Sequence, residues 1–511
     1  MTPLVPPVEN AVAERHSAPE PIRDEGGLPG RWRIAAMFLG PVIGSAAAFV
    51  TWDAIGSKGA IVLGVLTLMA IWWLTLAVEL AATALLPVVL LPSFGISTFA
   101  ESAAPYADGV IFLFAGGFVM AIALERHGLS ERFAHVVVGC AGHTGANIVG
   151  AIMVATAALS AFVSNTATAA VMLPIALALT RPHSQHHHEY ERSHTTHETD
   201  LPTEDHLPDL GRRRFATAAL LGVAYASTIG GVLTLVGSPP NAVAARFIQA
   251  ETGQSLSFVA WLRFGLPVGL VLLPITWFIL TRWFFPCADV RIEARPKSAH
   301  RPLDMPARTV LAIFALTVVA WFTRPLWNGL APGVRDESIS ITAALLLLAL
   351  PAGVRPFGGL VTWHDLRALP WAVLILFGGG LSIAAAIEQH GVALWLASHS
   401  GSLTGAPTIL VLLAITAVTC FASEVASNTA LAATAMPVLG ALGAASGAPI
   451  EGLAVTTALG ASLAFMLPVG TPPNAMVYAT GQVSPRDMAR VGLLLNVIAI
   501  AVVTAVSALI N

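Results

Sequence analysis

Two tripeptides, Ser164-Asn165-Thr166 and Ser427-Asn428-Thr429, interrupt long stretches of small apolar residues, roughly 133–180 and 404–446. A tip of Ser, Asn and Thr offers hydroxyl and amide oxygens to a hard cation, and hydroxyl and amide hydrogens to an anion. A second duplicated pattern is Gly237-Ser238-Pro239-Pro240-Asn241 and Gly470-Thr471-Pro472-Pro473-Asn474. Two adjacent prolines remove backbone donors and break a helix. The break leaves half-helix ends within an apolar segment: carbonyls at a C-terminal end suit Na⁺, and N–H groups at an N-terminal end suit an anion.

The chemistry around these tips lacks fixed positive charge. No Lys or Arg occurs from 133 to 180, from 215 to 245, or from 368 to 485. A small dianion held there is neutralised by co-bound cations and helix dipoles, because a buried uncompensated charge is very costly. That requirement predicts coupling of anion to cation. The duplicated Asn-Thr pair presents one amide and one hydroxyl to each end of a substrate with two carboxylates.

The duplication extends well beyond the tips. Phe114, Gly116, Gly117, Glu125, His127 and Gly128 recur as Phe377, Gly379, Gly380, Glu388, His390 and Gly391, a shift of 263 (388 − 125). The same shift carries Ser160, Ser164, Asn165, Thr166 and Pro174 onto Ser423, Ser427, Asn428, Thr429 and Pro437, while the Pro-Pro blocks repeat at 233 (470 − 237). The missing residues match a polar, His-rich segment between Arg181 and Arg214. It reads as a solvated cytoplasmic insertion in the first half, with weak metal binding or regulation as its alternatives.

These tips need a scaffold that lipid dissolves. Of 511 residues 56% are hydrophobic and 11% charged, which excludes an ordinary soluble protein. Apolar stretches near 35–52, 59–91, 109–125, 215–236, 264–285, 308–323, 338–352, 370–387 and 488–510 are expected as spans. With the two tip regions they predict an all-α polytopic membrane protein of about eleven transmembrane helices plus two re-entrant hairpins. Non-helical backbone at that depth is tolerated where it is buried in protein or lines a water-filled cavity. Residues 1–34 lack an apolar h-region and read as a cytoplasmic tail. Cys140, Cys287 and Cys420 have no pairing pattern or metal-ligand spacing, and the net charge of −3 excludes nothing.

Arginine asymmetry sets the handedness of the repeat. Arg126, Arg132, Arg181 and Arg212 to Arg214 follow Glu125, whereas no Lys or Arg follows Glu388 until Arg486. By the positive-inside rule the first stretch faces the cytoplasm and its copy faces outward, giving an inverted-topology repeat with its site near the midplane. Domain expectations follow: a tail 1–34, scaffold helices 35–130 and 291–390, and transport-domain halves 131–290 and 391–511. The N terminus is expected inside a bacterial inner membrane and the C terminus outside. Among the acids, Glu424 is a candidate proton site or a structural hydrogen-bond acceptor, and Glu79 falls at a helix interface or a bend. Glu125 and Glu388, each followed by His-Gly, mark helix ends beside water.

From the first span to the C terminus the chain resembles the divalent anion/sodium symporter family of succinate, citrate and sulfate carriers. The resemblance is carried by the two triplets, the two Pro-Pro-Asn blocks and Tyr106-Ala107-Asp108 leading into Phe112-Leu113-Phe114-Ala115-Gly116-Gly117-Phe118. It implies a homodimer of eleven-helix protomers, an elevator-like transport domain, and two Na⁺ or more. On that resemblance one ion involves Ser160, Ser164, Asn165 and Gly237, and a second involves Ser423, Ser427, Asn428 and Gly470. A small divalent organic anion, most simply a C4-dicarboxylate, contacts Asn165, Thr166, Ser238, Asn428, Thr429, Thr471 and Pro472.

Three rival readings remain on the sequence. One is a sodium-independent exchanger, or a proton-coupled carrier using Glu424 to move citrate or sulfate. Another is a channel. An intramembrane enzyme is disfavoured, because no His-Glu-x-x-His motif and no paired intramembrane aspartates are present, and nothing points to nucleic acid.

Overall fold

A computed structural model describes residues 30–180, 206–291, 303–351 apart from 328, 359–392, 395 and 406–510. The tail to residue 29 and the histidines His183, His186, His187, His188, His194 and His197 lie outside the described residues. Among the described residues the protein is all helix with two isolated β-bridges, and seven of the helices are long and apolar enough to cross a bilayer. It is a polytopic all-α membrane protein.

Helix α1 (Gly30–Thr75) has 46 residues, about twice what a bilayer of roughly 30 Å needs at 1.5 Å per residue. Gly56, at φ 74 and ψ 166, divides it into two spans, using a backbone region open essentially to glycine alone. The apolar run 59–91 bends, and a bend is one of the two places open to Glu79. Helix α1 stops at Thr75, Leu76 takes a positive φ of 51, and the chain resumes as α2 (Leu80–Ala84) and α3 (Leu86–Ser93). Exposed Glu79 marks the bend, and its carbonyl accepts from Thr83 N.

Short α4 (Phe99–Ala103) leads to α5 (Gly109–Arg126), which Asp108 caps by accepting from Val110 N at 3.0 Å. Gly128 ends that helix at φ 63, and its repeat Gly391 ends α14 (Trp371–Gln389) at φ 73, as expected for the two Glu-x-His-Gly sequences. The stretch 133–180 is not one hairpin. Its first part belongs to α6 (Leu129–Gly139), and only α7 (Gly145–Ser160) and α8 (Asn165–Thr180) form the helix pair. Thr144 opens that pair by capping Asn147 N.

Helix α9 (His206–Leu233) corrects the end of the expected loop, because residues 206–214, including Arg212, Arg213 and Arg214, are already helical. Residues 234–238 separate α9 from α10 (Pro239–Thr252), which the two prolines open. Then follow α11 (Phe258–Phe278, continued as a π-turn to Phe284), α12 (Met305–Trp327) and α13 (Asp336–Ala349) before α14. The second half closes with α15 (Thr408–Ser423), α16 (Asn428–Ser446), α17 (Ile450–Ser462), α18 (Pro472–Ala479) and α19 (Pro485–Ile510).

Burial shows which helices face lipid. The apolar window of α9 is 89% buried and that of α12 only 28%, so α9 is the centre of a bundle and α12 lies at its rim. Helix α9 packs on α7, α8, α11 and α18, while α17 packs on α10, α15 and α16. A second group forms where α5 packs on α13 and α14 packs on α2. There glycine is required. A Cβ on Gly116 would stand 2.6 Å from Ser340 O, and one on Gly379, its repeat, 2.2 Å from Ala84 O.

Candidate ion and substrate site

Both triplets form the tip of a helix pair, and the two tips are built alike. After α7, Phe162 N and Val163 N donate to Leu159 O at 3.0 and 2.9 Å; after α15, Val425 N and Ala426 N donate to Ala422 O at 3.2 and 3.1 Å. Ser164 then accepts from Ala167 N through its hydroxyl (3.3 Å) and from Thr168 N through its carbonyl (2.9 Å). Ser427 repeats both contacts with Ala430 N (3.5 Å) and Leu431 N (2.8 Å). The two serines are therefore N-caps. Asn165 and Asn428 are the first residues of their helices and Thr166 and Thr429 the second, all half-buried.

Around the first tip, oxygens outnumber hydrogens. Buried Ser160 Oγ lies 2.8 Å from Asn165 Oδ1 and 2.6 Å from Ser227 O. One hydroxyl hydrogen is shared between two acceptors here, which leaves the cluster rich in oxygen and suited to a cation. Gly237 closes the same place: a Cβ there would meet Gly231 O at 2.7 Å, Ser160 O at 3.0 Å and Ala161 O at 3.1 Å. Gly231 is needed because a Cβ would fall 2.4 Å from Asn165 Oδ1. Neutral oxygens converging from a hydroxyl, an amide and freed carbonyls fit a hard monovalent ion. Among the described residues no three His, Cys, Asp or Glu gather as a metal site.

The helix breaks are held by the asparagine that ends each Pro-Pro block. Asn241 Nδ2 donates to Gly231 O (3.0 Å) and Thr234 O (2.8 Å); Asn474 Nδ2 donates to Ala464 O (3.4 Å) and Leu467 O (3.1 Å). Every partner is displaced by the same 233 positions (474 − 241). Gly237 N to Thr234 O and Gly470 N to Leu467 O repeat as well. Asn241 Oδ1, Asn474 Oδ1 and Asn428 Oδ1 are buried without a hydrogen-bond partner, and an orphaned buried acceptor is what a cation or a protonated donor would satisfy.

Two facing positions break the symmetry. In the first half the Thr234 hydroxyl donates to Ala161 O. In the second half Glu424 replaces Ala161 and Leu467 replaces Thr234. The Glu424 carboxylate accepts from Phe465 N (2.8 Å), Met466 N (2.9 Å), Leu467 N (2.9 Å) and Asn496 Nδ2 (2.7 Å). It is buried, and its Oε2 would stand 2.7 Å from a Cβ on Gly470. Of the two roles open to Glu424, structural acceptor is the one this geometry fills. Ser423 Oγ, at the other edge, donates to Cys420 O at 2.8 Å.

The halves cross over. Helix α10 of the first packs on α16 and α17 of the second, and α8 packs on α18. At the crossing Ser238 Oγ meets Ser462 Oγ at 3.4 Å, while Ser462 O faces Asn428 Nδ2 at 3.5 Å. Ser238 and Thr471 are buried N-caps with extended backbone, but only Thr471 accepts from a backbone N–H through its side chain, at Asn474 N. Pro472 is exposed. Ser462, Ser227 and Asn496 are not assigned from the sequence. Ser462 ends α17 nine residues before Thr471 (471 − 462), and a polar residue ahead of the break is the available signal.

Residues 37–510 match the model of the sodium:sulfate symporter transmembrane region. The chain belongs to this family. It is therefore a membrane transporter and not an enzyme. This transporter is 36% identical over 453 residues to the sodium-dependent dicarboxylate transporter SdcS of Staphylococcus aureus, covering 86% of this chain and 84% of that one. With the Staphylococcus saprophyticus protein of the same name it shares 34% over 487 residues, 93% and 90% of the two chains. Its fold is similar to that of the Alcanivorax borkumensis YdaH transporter, at a TM-score of 0.53 and 15% identity over 82% of this chain and 88% of that one.

Proposed function

We propose that this transporter is a sodium-coupled symporter of small divalent anions, C4-dicarboxylates first among them. The observation that carries the reading is the surplus of neutral oxygen at Ser160, Asn165 and Ser227, together with the orphaned Asn428 Oδ1, at tips without basic residues. Two Na⁺ occupy these places, one by Ser160, Ser164, Asn165 and Gly237, the other by Ser423, Ser427, Asn428 and Gly470. Their charge and the N-terminal ends of α8, α10, α16 and α18 hold the anion among Asn165, Thr166, Ser238, Asn428, Thr429, Thr471 and Pro472. The names of the SdcS relatives support both sodium and dicarboxylate.

Movement in this reading is elevator-like. Helices α6 to α11 and α15 to α19 travel as one transport unit against a scaffold of α1 to α5 and α12 to α14, in a homodimer within the bacterial plasma membrane. The repeat is inverted, with the N terminus cytoplasmic and the C terminus external. A membrane-impermeant maleimide should then label native, exposed Cys140 from the cytoplasmic side only, and a cysteine placed at Thr408 from the outside only. Labelling of both from one side would remove the inversion.

Sodium coupling is tested in proteoliposomes. Because an anion that needs bound cations must raise their affinity by the factor they raise its own, uptake of labelled succinate should rise sigmoidally with external sodium. Choline or potassium should not substitute. Unchanged uptake after complete sodium removal would overturn the coupling.

A further inference from the structure

Arg246 stands one residue beyond the interval 215–245 that is free of Lys and Arg. Its Nε lies 2.7 Å from Asp108 Oδ2, and the two side chains are 24% and 18% exposed. The Nε–H has no acceptor in line, so the contact is Coulombic rather than a directed hydrogen bond. Asp108 caps α5 with its other oxygen, on Val110 N. Arg246 belongs to α10. The pair thus joins a scaffold helix to a helix of the transport unit.

Its surroundings are those of a sliding boundary. Arg246 lines a cavity of about 400 Å³ between α5 and α14 on one side and α10 and α16 on the other, with Glu251 and Glu388 in its wall. Asp108 lines a second cavity of about 150 Å³, with Arg324, Arg335, Asp336 and Glu337. The ion pair forms part of the partition between them. Two open volumes on a helix–helix boundary mean few packed side chains to resist displacement there, which leaves the charge pair as a distinct element holding the helices in register.

The repeat makes the pair informative. At a shift of 263 Asp108 corresponds to Trp371, and at 233 Arg246 corresponds to Ala479. The equivalent boundary of the second half cannot form an ion pair. If the two access states arise when the repeats exchange conformations, the first repeat takes up in the other state the arrangement of the second, where α18 does not pack on α14 as α10 packs on α5, and there the pair is apart. It breaks the near-degeneracy that the duplication would otherwise impose.

We infer that Asp108 and Arg246 form a one-sided electrostatic lock that stabilises the access state seen in this structure and must open in each transport cycle. The inference rests on the proposed sliding of α10 past α5. An ion pair exposed to this degree biases a two-state balance by a few-fold, not by orders of magnitude.

The test uses the full-length protein with its three native cysteines replaced and an Ala385→Cys substitution in the wall of the larger cavity. The reaction rate of that single thiol with a small, impermeant methanethiosulfonate reports how long the cavity is open. Asp108→Asn keeps the cap oxygen on Val110 N and removes the charge; Arg246→Gln removes the other charge. Each should slow labelling by about threefold or more, and exchanging the two residues should restore the rate toward that of the parent. Labelling that responds to sodium plus succinate in the parent, yet is unchanged or faster in both variants, would defeat the lock alone. A parent whose labelling rate at position 385 ignores sodium plus succinate would show that this boundary does not move, defeating the sliding reading and the lock with it.

Discussion

Alanine at Asn428 should reduce sodium-driven dicarboxylate uptake by tenfold or more while leaving the protein folded. The residue opens α16 at the tip of the second helix pair, where its Oδ1 is buried with no partner and its Nδ2 faces Ser462 O at 3.5 Å. Neither atom contributes much to the resting structure, so both are available for ligands. In the proposed site the oxygen binds Na⁺ and the amide hydrogens meet a substrate carboxylate. Removing even one charge-assisted hydrogen bond costs about 1.5–3 kcal/mol, which corresponds to roughly a tenfold loss or greater. Sodium titration separates the two roles: loss of the cation ligand raises the sodium concentration needed for half-maximal uptake as well as lowering the rate. Asn165→Ala should act similarly, with some added destabilisation, because Asn165 Oδ1 already shares the Ser160 hydroxyl. Wild-type uptake in Asn428→Ala would move the site away from the tips.

Glu424→Ala should destabilise the protein by about 4 kcal/mol, because it strands three backbone N–H groups and the Asn496 amide in a buried place. An unsatisfied buried donor costs about 1–3 kcal/mol, and water entering the vacated volume recovers part of the sum. Thermal unfolding in detergent measures this directly. Glu424→Gln keeps an acceptor oxygen but trades the other for an amide, so its cost should be nearer to about 1–2 kcal/mol. The same variant decides between coupling ions. If Glu424 only holds the broken segment 463–470, Glu424→Gln retains sodium-dependent uptake. If it carries the transported proton, uptake at acidic pH disappears with the carboxyl group.

Much of this protein is legible in its residues because a bilayer constrains a chain so tightly. Lipid allows few spanning structures, so composition and hydropathy alone give an all-α polytopic protein. Duplication then supplies what a single sequence usually lacks. Asn165 and Asn428, or the two Pro-Pro-Asn blocks, stand out because each polar interruption occurs twice, at one spacing, in segments where polar residues are costly. The helix breaks at 233–239 and 462–472 and the helix ends at Gly128 and Gly391 follow from proline and glycine chemistry that is local to the residues concerned.

Tertiary structure decided the rest, for a physical reason that recurs in each case: the deciding partner is remote in sequence. Hydropathy does not tell that the run 59–91 breaks at Leu76, since both sides are equally apolar and the break is set by packing of α2 on α14. Nor does it separate α6 from the hairpin. Ser160 is a candidate cation ligand from the sequence by resemblance alone, and it gains a geometric reason only where α9 brings Ser227 O to 2.6 Å. Glu424, three residues from Ser427, is either a proton site or a structural acceptor on sequence alone, and the acceptor role gains its partners where the chain past α17 folds back and places four donors on it. Asp108 and Arg246, 138 positions apart (246 − 108), acquire a shared role only where α5 meets α10.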